Sequence, residues 1–191
     1  FNSIALAAVR WTEPQLDEKT TRWLREMPRG PVDLRSASND PSLHQRTIRC
    51  VHGSLLDEDQ YLLSVRNAEE QHAPAGSITF FGHTHIQGGF AANAEGEWSS
   101  LKPVYTEDNN AESYDLDLRE SATYLVNPGS VGQPRDHDWR SAFAVYDDKA
   151  GDDKAERITF YRVPYDVRLA QLRIQRAGLP DMLGSRLRLG R

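Results

Sequence analysis

Two histidines separated by a single residue are the feature of this sequence that most directly indicates chemistry. His83 and His85 belong to the motif Gly-His-Thr-His at residues 82–85, directly after the apolar run Ile-Thr-Phe-Phe. Imidazole is the commonest metal ligand in proteins and binds in its neutral form, and a glycine lets a metal ion or a phosphate approach the backbone closely. The spacing alone fits metal binding and a pair of surface-loop histidines equally well. The preceding apolar strand and the glycine favour metal binding.

Two further clusters of polar residues and glycines follow other predicted strands. In the first, Cys-Val-His-Gly-Ser at residues 50–54, a strand again ends in a histidine, His52, that precedes a glycine. The second, Val-Asn-Pro-Gly-Ser-Val-Gly-Gln-Pro-Arg at residues 126–135, contains Asn127 and Arg135 and is typical of a shaped loop. Judged alone, His52 is more typical of a hydrogen-bonded core or rim histidine than of a ligand. The second cluster fits a structural turn at least as well as a substrate contact.

The elements that must position these clusters are strands, because α/β proteins bind ligands at the ends of buried strands. Hydropathy and turn signals predict strands at 32–35, 47–52, 77–81, 122–126, 141–146 and 157–163. They predict helices at 2–10, 12–28, 61–71, 166–176 and 181–187. The stretch 92–113 is the most loop-like. This order of elements predicts a mixed α/β domain with two sheets.

Composition and length describe a globular protein and exclude several classes. The chain has 191 residues, 38% hydrophobic and 27% charged, which fits one domain over residues 1–191 with its own core. Its one cysteine, Cys50, excludes an internal disulfide framework and a cysteine-rich zinc module. No apolar run reaches the ~20 residues that span a bilayer, and no signal peptide is recognisable. We therefore expect a cytoplasmic protein without a membrane partner. The net charge of -5 argues against nucleic acid as a partner.

Taken together, the three clusters resemble the calcineurin-like metallophosphoesterases, and more narrowly their small bacterial phosphodiesterase and phosphatase branch. The pairing of Gly-His-Thr-His with Asn-Pro-Gly-Ser-Val-Gly is specific, and segments at 11–28, 162–166 and 177–180 fit as well, so the resemblance extends over nearly the whole chain. It implies a two-sheet β-sandwich flanked by helices, in four α/β/β/α layers. It also implies a metal-dependent phosphoesterase that hydrolyses phosphomonoesters or phosphodiesters with a hydroxide that bridges two metal ions.

The resemblance assigns roles to individual residues as well. His52 and His83 match ligands of the second metal ion, and His85 matches a ligand of the first. Asn127 would orient the ligands without binding the metal itself. Arg135 would contact a phosphate oxygen or form a structural salt bridge. The implied cofactors are two divalent metal ions (Mn, Fe, Zn or Ni), and the implied substrate is a small phosphate ester or a phosphoprotein. The individual substrate, the metal identity and the oligomeric state do not follow from the sequence.

The sequence departs from this family in its front part. Of the five family motifs in order, Asp-x-His, Gly-Asp, Gly-Asn-His-Asp, His and Gly-His-x-His, only the last two are present. Gly151-Asp152 comes after the histidine motif instead of before it, and Asp136-His137-Asp138 has the wrong spacing. The general-acid histidine and the bridging carboxylate therefore have no match, and the catalytic residues stay unassigned. Three neutral histidines suit one ion such as zinc, but without a carboxylate they do not suit a charge-balanced pair of ions.

We expect the missing motifs to lie in a segment outside these 191 residues or in another chain. The alternative is a catalytically inactive scaffold with the phosphoesterase fold that binds other proteins. The missing motifs favour this alternative, and the three retained histidines oppose it. A mononuclear cupin is disfavoured, because the first glutamate after the His-x-His pair is Glu95.

Overall fold

The strands of the molecule lie in two sheets. The computed structural model describes residues 3–34, 46–106, 109–148 and 156–191. The strands of these residues are β1 (Val32–Asp33), β2 (Ile48–Cys50), β3 (Ile78–Phe80), β4 (Gly88–Ala92), β5 (Trp98–Leu101), β6 (Glu112–Asp117), β7 (Thr123–Asn127), β8 (Ser141–Asp147) and β9 (Arg157–Val163). The helices are α1 (Ser3–Thr12), α2 (Glu18–Glu26), α3 (Val65–Glu69), α4 (Val167–Arg176) and α5 (Asp181–Ser185), with 3-10 turns at Glu13–Gln15 and Arg186–Leu189.

The larger sheet has a parallel centre. Its order is β1-β2-β3-β7-β4-β5, and β3 pairs in parallel with β2 on one side and β7 on the other. The outer strands β1, β4 and β5 pair antiparallel. The smaller sheet, β6-β9-β8, is antiparallel throughout. Because β2, β3 and β7 run the same way, their carboxyl ends meet at one edge, which is where α/β sheets bind ligands.

The core has two parts because β7 is buried on both faces. Tyr124 and Val126 of this strand pack against Ile158 and Phe160 of β9, between the two sheets. Leu125 points the other way, into a second cluster on the outer face of the larger sheet. A strand that is buried on both faces is typical of the middle of a helix-covered sheet. The predicted mixed α/β architecture, with two sheets flanked by helices, is confirmed.

The last helices begin and end close to where the sequence predicts. The Asp166 carboxylate accepts a hydrogen bond from the Leu169 N–H at 2.8 Å and so caps α4. The helix then runs to Arg176, the predicted end. The predicted helix at 181–187 divides into α5 and a 3-10 turn.

The single helix predicted over 12–28 is wrong. After the turn at Glu13–Gln15 the chain is extended at Leu16, and α2 begins only at Glu18, after its N-cap Asp17. The Asp17 carboxylate accepts from the Thr20 N–H at 2.6 Å, so a second N-cap starts a new helix here.

Two other expectations also differ from the structure. The helix predicted at 61–71 is limited to α3, which begins after its cap Ser64, because Leu62 enters the outer core cluster from a segment without regular secondary structure. The supposed loop at 92–113 contains β5 and the start of β6. Asn93 makes the hairpin between β4 and β5 by accepting from the Glu97 N–H at 2.8 Å.

Some sequence-based expectations lie outside the described residues. These are the Gly151-Asp152 pair, the predicted helix start at Asn2 and the end of the first predicted strand at Arg35. Within the described ranges, no helix has the length and apolarity needed to cross a membrane.

Candidate metal centre

The three motif clusters meet at the carboxyl edge of β2, β3 and β7. The Gly82 N–H donates to the His52 carbonyl oxygen at 2.8 Å and joins the first two connections. The Arg135 N–H donates to the His85 carbonyl oxygen at 3.0 Å and joins the second to the third. These backbone hydrogen bonds join the three connections that carry the residues proposed for the site.

His52 and His83 form the centre of the site. The Nδ1 atom of His83 lies 3.0 Å from Nε2 of His52, and the Nε2 atom of His83 lies 3.1 Å from the main-chain oxygen of Asp59. A carbonyl oxygen can only accept, so in neutral His83 the proton is on Nε2 and the lone pair is on Nδ1. That lone pair points at the His52 ring.

The spacing of these two nitrogens fits joint binding of one ion. Two imidazole nitrogens 3.0 Å apart would be able to bind one divalent ion together, because metal–nitrogen bonds are about 2.0–2.1 Å long. Both rings are reachable, since His52 is exposed and His83 is partly exposed.

His85 faces the connection that follows β7. Its Nδ1 atom donates to the main-chain oxygen of Gln133 at 2.8 Å, because that oxygen can only accept. In the neutral ring the lone pair is therefore on Nε2. A carbonyl that fixes the tautomer of a histidine in this way is the usual support of a metal ligand.

The environment keeps His85 in the form that binds metal. Burial lowers the pKa of His85, and the nearby charges of Arg135, His83 and His52 lower it further, against the hydrogen bond to Gln133, which raises it. The lowered pKa favours the neutral imidazole at neutral pH, and neutral imidazole is the ligand form.

The histidine loop has an unusual backbone that Asn127 supports. His83 and His85 both have left-handed backbones, with φ of 61° and 59°, a conformation that costs energy for residues other than glycine. Asn127 is fully buried. Its Nδ2 donates to the Gly82 oxygen at 3.0 Å and to the Thr84 hydroxyl at 2.8 Å. Its Oδ1 accepts from the Gly129 N–H at 2.9 Å. One side chain therefore fixes both loops.

Arg135 lies beside the histidines without a charged partner among the described residues. Its guanidinium donates to the Gln133 Oε1 from Nε at 3.3 Å and from Nη2 at 2.9 Å. Of the two roles predicted for it, the structural salt bridge is thus not found within the described ranges. The neutral amide orients the guanidinium and leaves its charge unbalanced.

Buried ion pairs anchor the site to the smaller sheet. Asp136 accepts from Arg162 of β9 and, at 2.9 Å, from the Gln87 N–H, just after the histidine motif. Asp138 receives two side-chain donors from the buried Arg140. Burial raises the pKa of Asp138, but the hydrogen bonds from Arg140 outweigh this, and the pKa lies below its ordinary value. The Asp136-His137-Asp138 segment is therefore accounted for by structural ion pairs.

The site as described is incomplete for a metal centre. No three histidine, cysteine, aspartate or glutamate side chains in the described ranges are grouped closely enough to hold an ion. The three histidines do not form such a group, because His83 turns toward the β2 connection and His85 toward the β7 connection. The assignment of His52, His83 and His85 as ligands of two ions stays a prediction.

Three contributors to the site were missed by sequence reasoning. Tyr61 stacks on His83 with 4.1 Å between ring centroids. Gln87 donates to three main-chain oxygens and accepts from Tyr105, and Asp136 bonds the Gln87 N–H. Gln87 lies two residues beyond the motif, which is a usable signal. Tyr61 has none, because its contact depends on how the chain returns after β2.

Comparisons with known proteins give two informative matches. No family model matches the chain. It is 38% identical over 116 residues, or 61% of its length, to an uncharacterized protein of Methanocaldococcus jannaschii, and the match spans 40% of that protein. Its fold is similar to that of a metallophosphoesterase from Sphaerobacter thermophilus, with a TM-score of 0.70 and 28% identity. That likeness covers all of this chain and 70% of the solved one. The chain thus spans less than half of the curated relative.

Proposed function

We propose that this chain, which belongs to the calcineurin-like metallophosphoesterase superfamily, supplies the histidine ligands of a metal centre that hydrolyses phosphate esters. The observation that carries the proposal is the pair of imidazole nitrogens of His52 and His83, 3.0 Å apart at the carboxyl edge of the parallel strands. A hydrogen bond between two histidines would also give this distance. The additional support is that the Asp59 carbonyl holds the proton of His83 on Nε2 and leaves the lone pair on Nδ1, facing His52. A backbone carbonyl commonly fixes the tautomer of a metal-binding histidine in this way.

The donor set fits divalent ions of intermediate hardness. Imidazole nitrogen suits Zn, Ni and Fe, whereas Mn depends more on carboxylate ligands. We propose a dinuclear centre in which His52 and His83 bind one ion and His85 binds the other. Such ions polarise phosphoryl oxygens and lower the pKa of bound water towards neutrality. No carboxylate groups with these histidines among the described residues, so we propose that the carboxylates that would balance the charge of the ions lie outside the described residues.

The chain's own residues position the ligands and bind the substrate. Asn127 holds the loops that carry the histidines, and the Gln133 carbonyl fixes the tautomer of His85. Arg135, anchored on the Gln133 amide, provides the positive charge for a phosphate oxygen. The substrate class that follows is a phosphomonoester or phosphodiester, either a small molecule or a phosphoprotein.

Turnover of p-nitrophenyl phosphate and of its bis ester tests this function. The protein is purified together with the residues that supply the carboxylates and is loaded with Mn²⁺ or Zn²⁺, and the expected result is turnover that a chelator removes and the same metal restores. His83→Ala should lose at least about 100-fold in kcat/KM, since a displaced ligand removes the metal's contribution to the transition state. His72→Ala is the matched control, because His72 is also left-handed and exposed but lies away from the site. Turnover that persists in His83→Ala, or no turnover at saturating metal, contradicts the proposal.

A further inference from the structure

Tyr61 presents an exposed aromatic ring directly beside the histidine pair. Its ring lies against His83 with 4.1 Å between centroids and an interplanar angle of 29°. His83 in turn meets the edge of His52 at 4.8 Å. The three rings form a row, and Tyr61 is its outer member. Although it packs on His83, Tyr61 keeps 45% of its surface exposed.

The fold fixes the outward orientation of this ring. The next residue, Leu62, is only 4% exposed and belongs to the outer core cluster with Leu125 and Phe81. Leu63, on the other side of Leu62, is 61% exposed, so the chain here buries Leu62 and leaves Tyr61 at the surface. Leaving a large aromatic ring half exposed gives the fold little stability in return, whereas it is a common feature of binding sites.

We infer that Tyr61 is a specificity residue that stacks on the organic group of the substrate and selects phosphate esters of a flat aromatic group. This inference rests on the proposed function, because it requires a phosphate at the histidine pair. The ester's organic group is bonded to that phosphate. A ring that stacks on His83 therefore lies next to the residue proposed to hold the phosphate, where it can contact this group. Aromatic rings prefer offset stacking on one another to contact with saturated groups of equal size.

A purely structural role for Tyr61 predicts a different result. If the ring only holds His83 in place, its removal weakens every phosphate ligand by the same factor. If it contacts the organic group, its removal weakens aromatic ligands by a larger factor than small aliphatic ones. The Tyr61 hydroxyl has no hydrogen bond recorded among the described residues, so Tyr61→Phe should keep either role intact.

Calorimetric binding of three phosphonates to the metal-loaded protein separates these cases without requiring turnover. The probes are phenylphosphonate, cyclohexylphosphonate and methylphosphonate, whose P–C bonds resist hydrolysis. For the wild-type protein we expect phenylphosphonate to bind about tenfold more tightly than methylphosphonate, with cyclohexylphosphonate between them. Tyr61→Phe should keep this ratio. Tyr61→Ser should bring it to about one.

The controls make each outcome decisive. Leu63→Ser changes an apolar residue of the same segment that is 61% exposed and should leave all three affinities unchanged. Thermal melting establishes that Tyr61→Ser is folded, and Tyr61→Leu replaces it if it is not. Equal binding of the three phosphonates by wild type, or an unchanged ratio in Tyr61→Ser, overturns the inference and leaves the proposed function standing. If no phosphonate binds and no phosphate ester is hydrolysed, the proposed function itself fails.

Discussion

Replacing Asn127 by alanine should weaken metal binding and destabilise the protein together. The change removes hydrogen bonds to the Gly82 oxygen, the Thr84 hydroxyl and the Gly129 N–H, all at a fully buried position. At about 1 kcal/mol for each bond, the free energy of unfolding should fall by about 3 kcal/mol. Because total stabilities are about 5–15 kcal/mol, the variant should remain folded. Loss of a group that orients ligands typically lowers metal affinity by about 10–100-fold.

Urea denaturation and Zn²⁺ titration of the same preparations measure the two effects. The matched control is Asn93→Ala, since Asn93 also bonds backbone but does so in the distant hairpin between β4 and β5. It should leave the zinc affinity unchanged. An Asn127→Ala protein that loses stability but binds zinc like wild type would refute the reasoning, because the histidine loop would then not depend on this side chain.

Three further substitutions test other contacts in and around the site. Gly129→Ala should lower the melting temperature by several degrees, because φ is 87° there and the new Cβ would lie 2.6 Å from the Ala142 Cβ; an unchanged melting curve would contradict this. Asp138→Asn should cost about 3 kcal/mol at pH 7, because it leaves the buried Arg140 short of a partner. Since the pKa of Asp138 is lowered in the fold, its contribution is present above the unfolded pKa of about 3.9 and is lost as the pH falls through the folded value. The difference between the two proteins in urea titrations should therefore shrink as the pH falls below about 4, and a constant difference would argue against the ion pair. His85→Ala should abolish metal-dependent turnover. Full activity of this variant at excess metal would show that His85 is not a metal ligand.

The parts of this fold that follow from the sequence are those that local rules determine. The strand at 157–163 is observed with its predicted bounds, because strict alternation places Ile158, Phe160 and Arg162 on the buried face. The cap of α4 is likewise local, since Asp166 bonds an N–H three residues on. The clustering of the three motifs follows from the parallel order of β2, β3 and β7, which the motif resemblance implies.

The remaining features depend on contacts between distant residues. A segment without regular secondary structure at Tyr61 replaces the start of a predicted helix, because Leu62 gains more by entering the core cluster than by forming another helical turn. Hydropathy does not predict strand β5, because Trp98–Leu101 has two exposed serines in its middle. His83 and His85 point in different directions, and both have left-handed backbones on either side of Thr84. Neither position is a glycine, so the sequence gives no signal for this conformation.

Zinc binding by the purified protein tests the central claim most directly. Elemental analysis after loading and desalting should find at least one equivalent of zinc per chain in wild type and in His72→Ala, but not in the His52→Ala, His83→Ala double variant. This result is expected because the paired nitrogens of His52 and His83 are the only close imidazole pair among the described residues. Wild-type protein that binds no metal, or a double variant that retains the wild-type equivalent, would contradict the account.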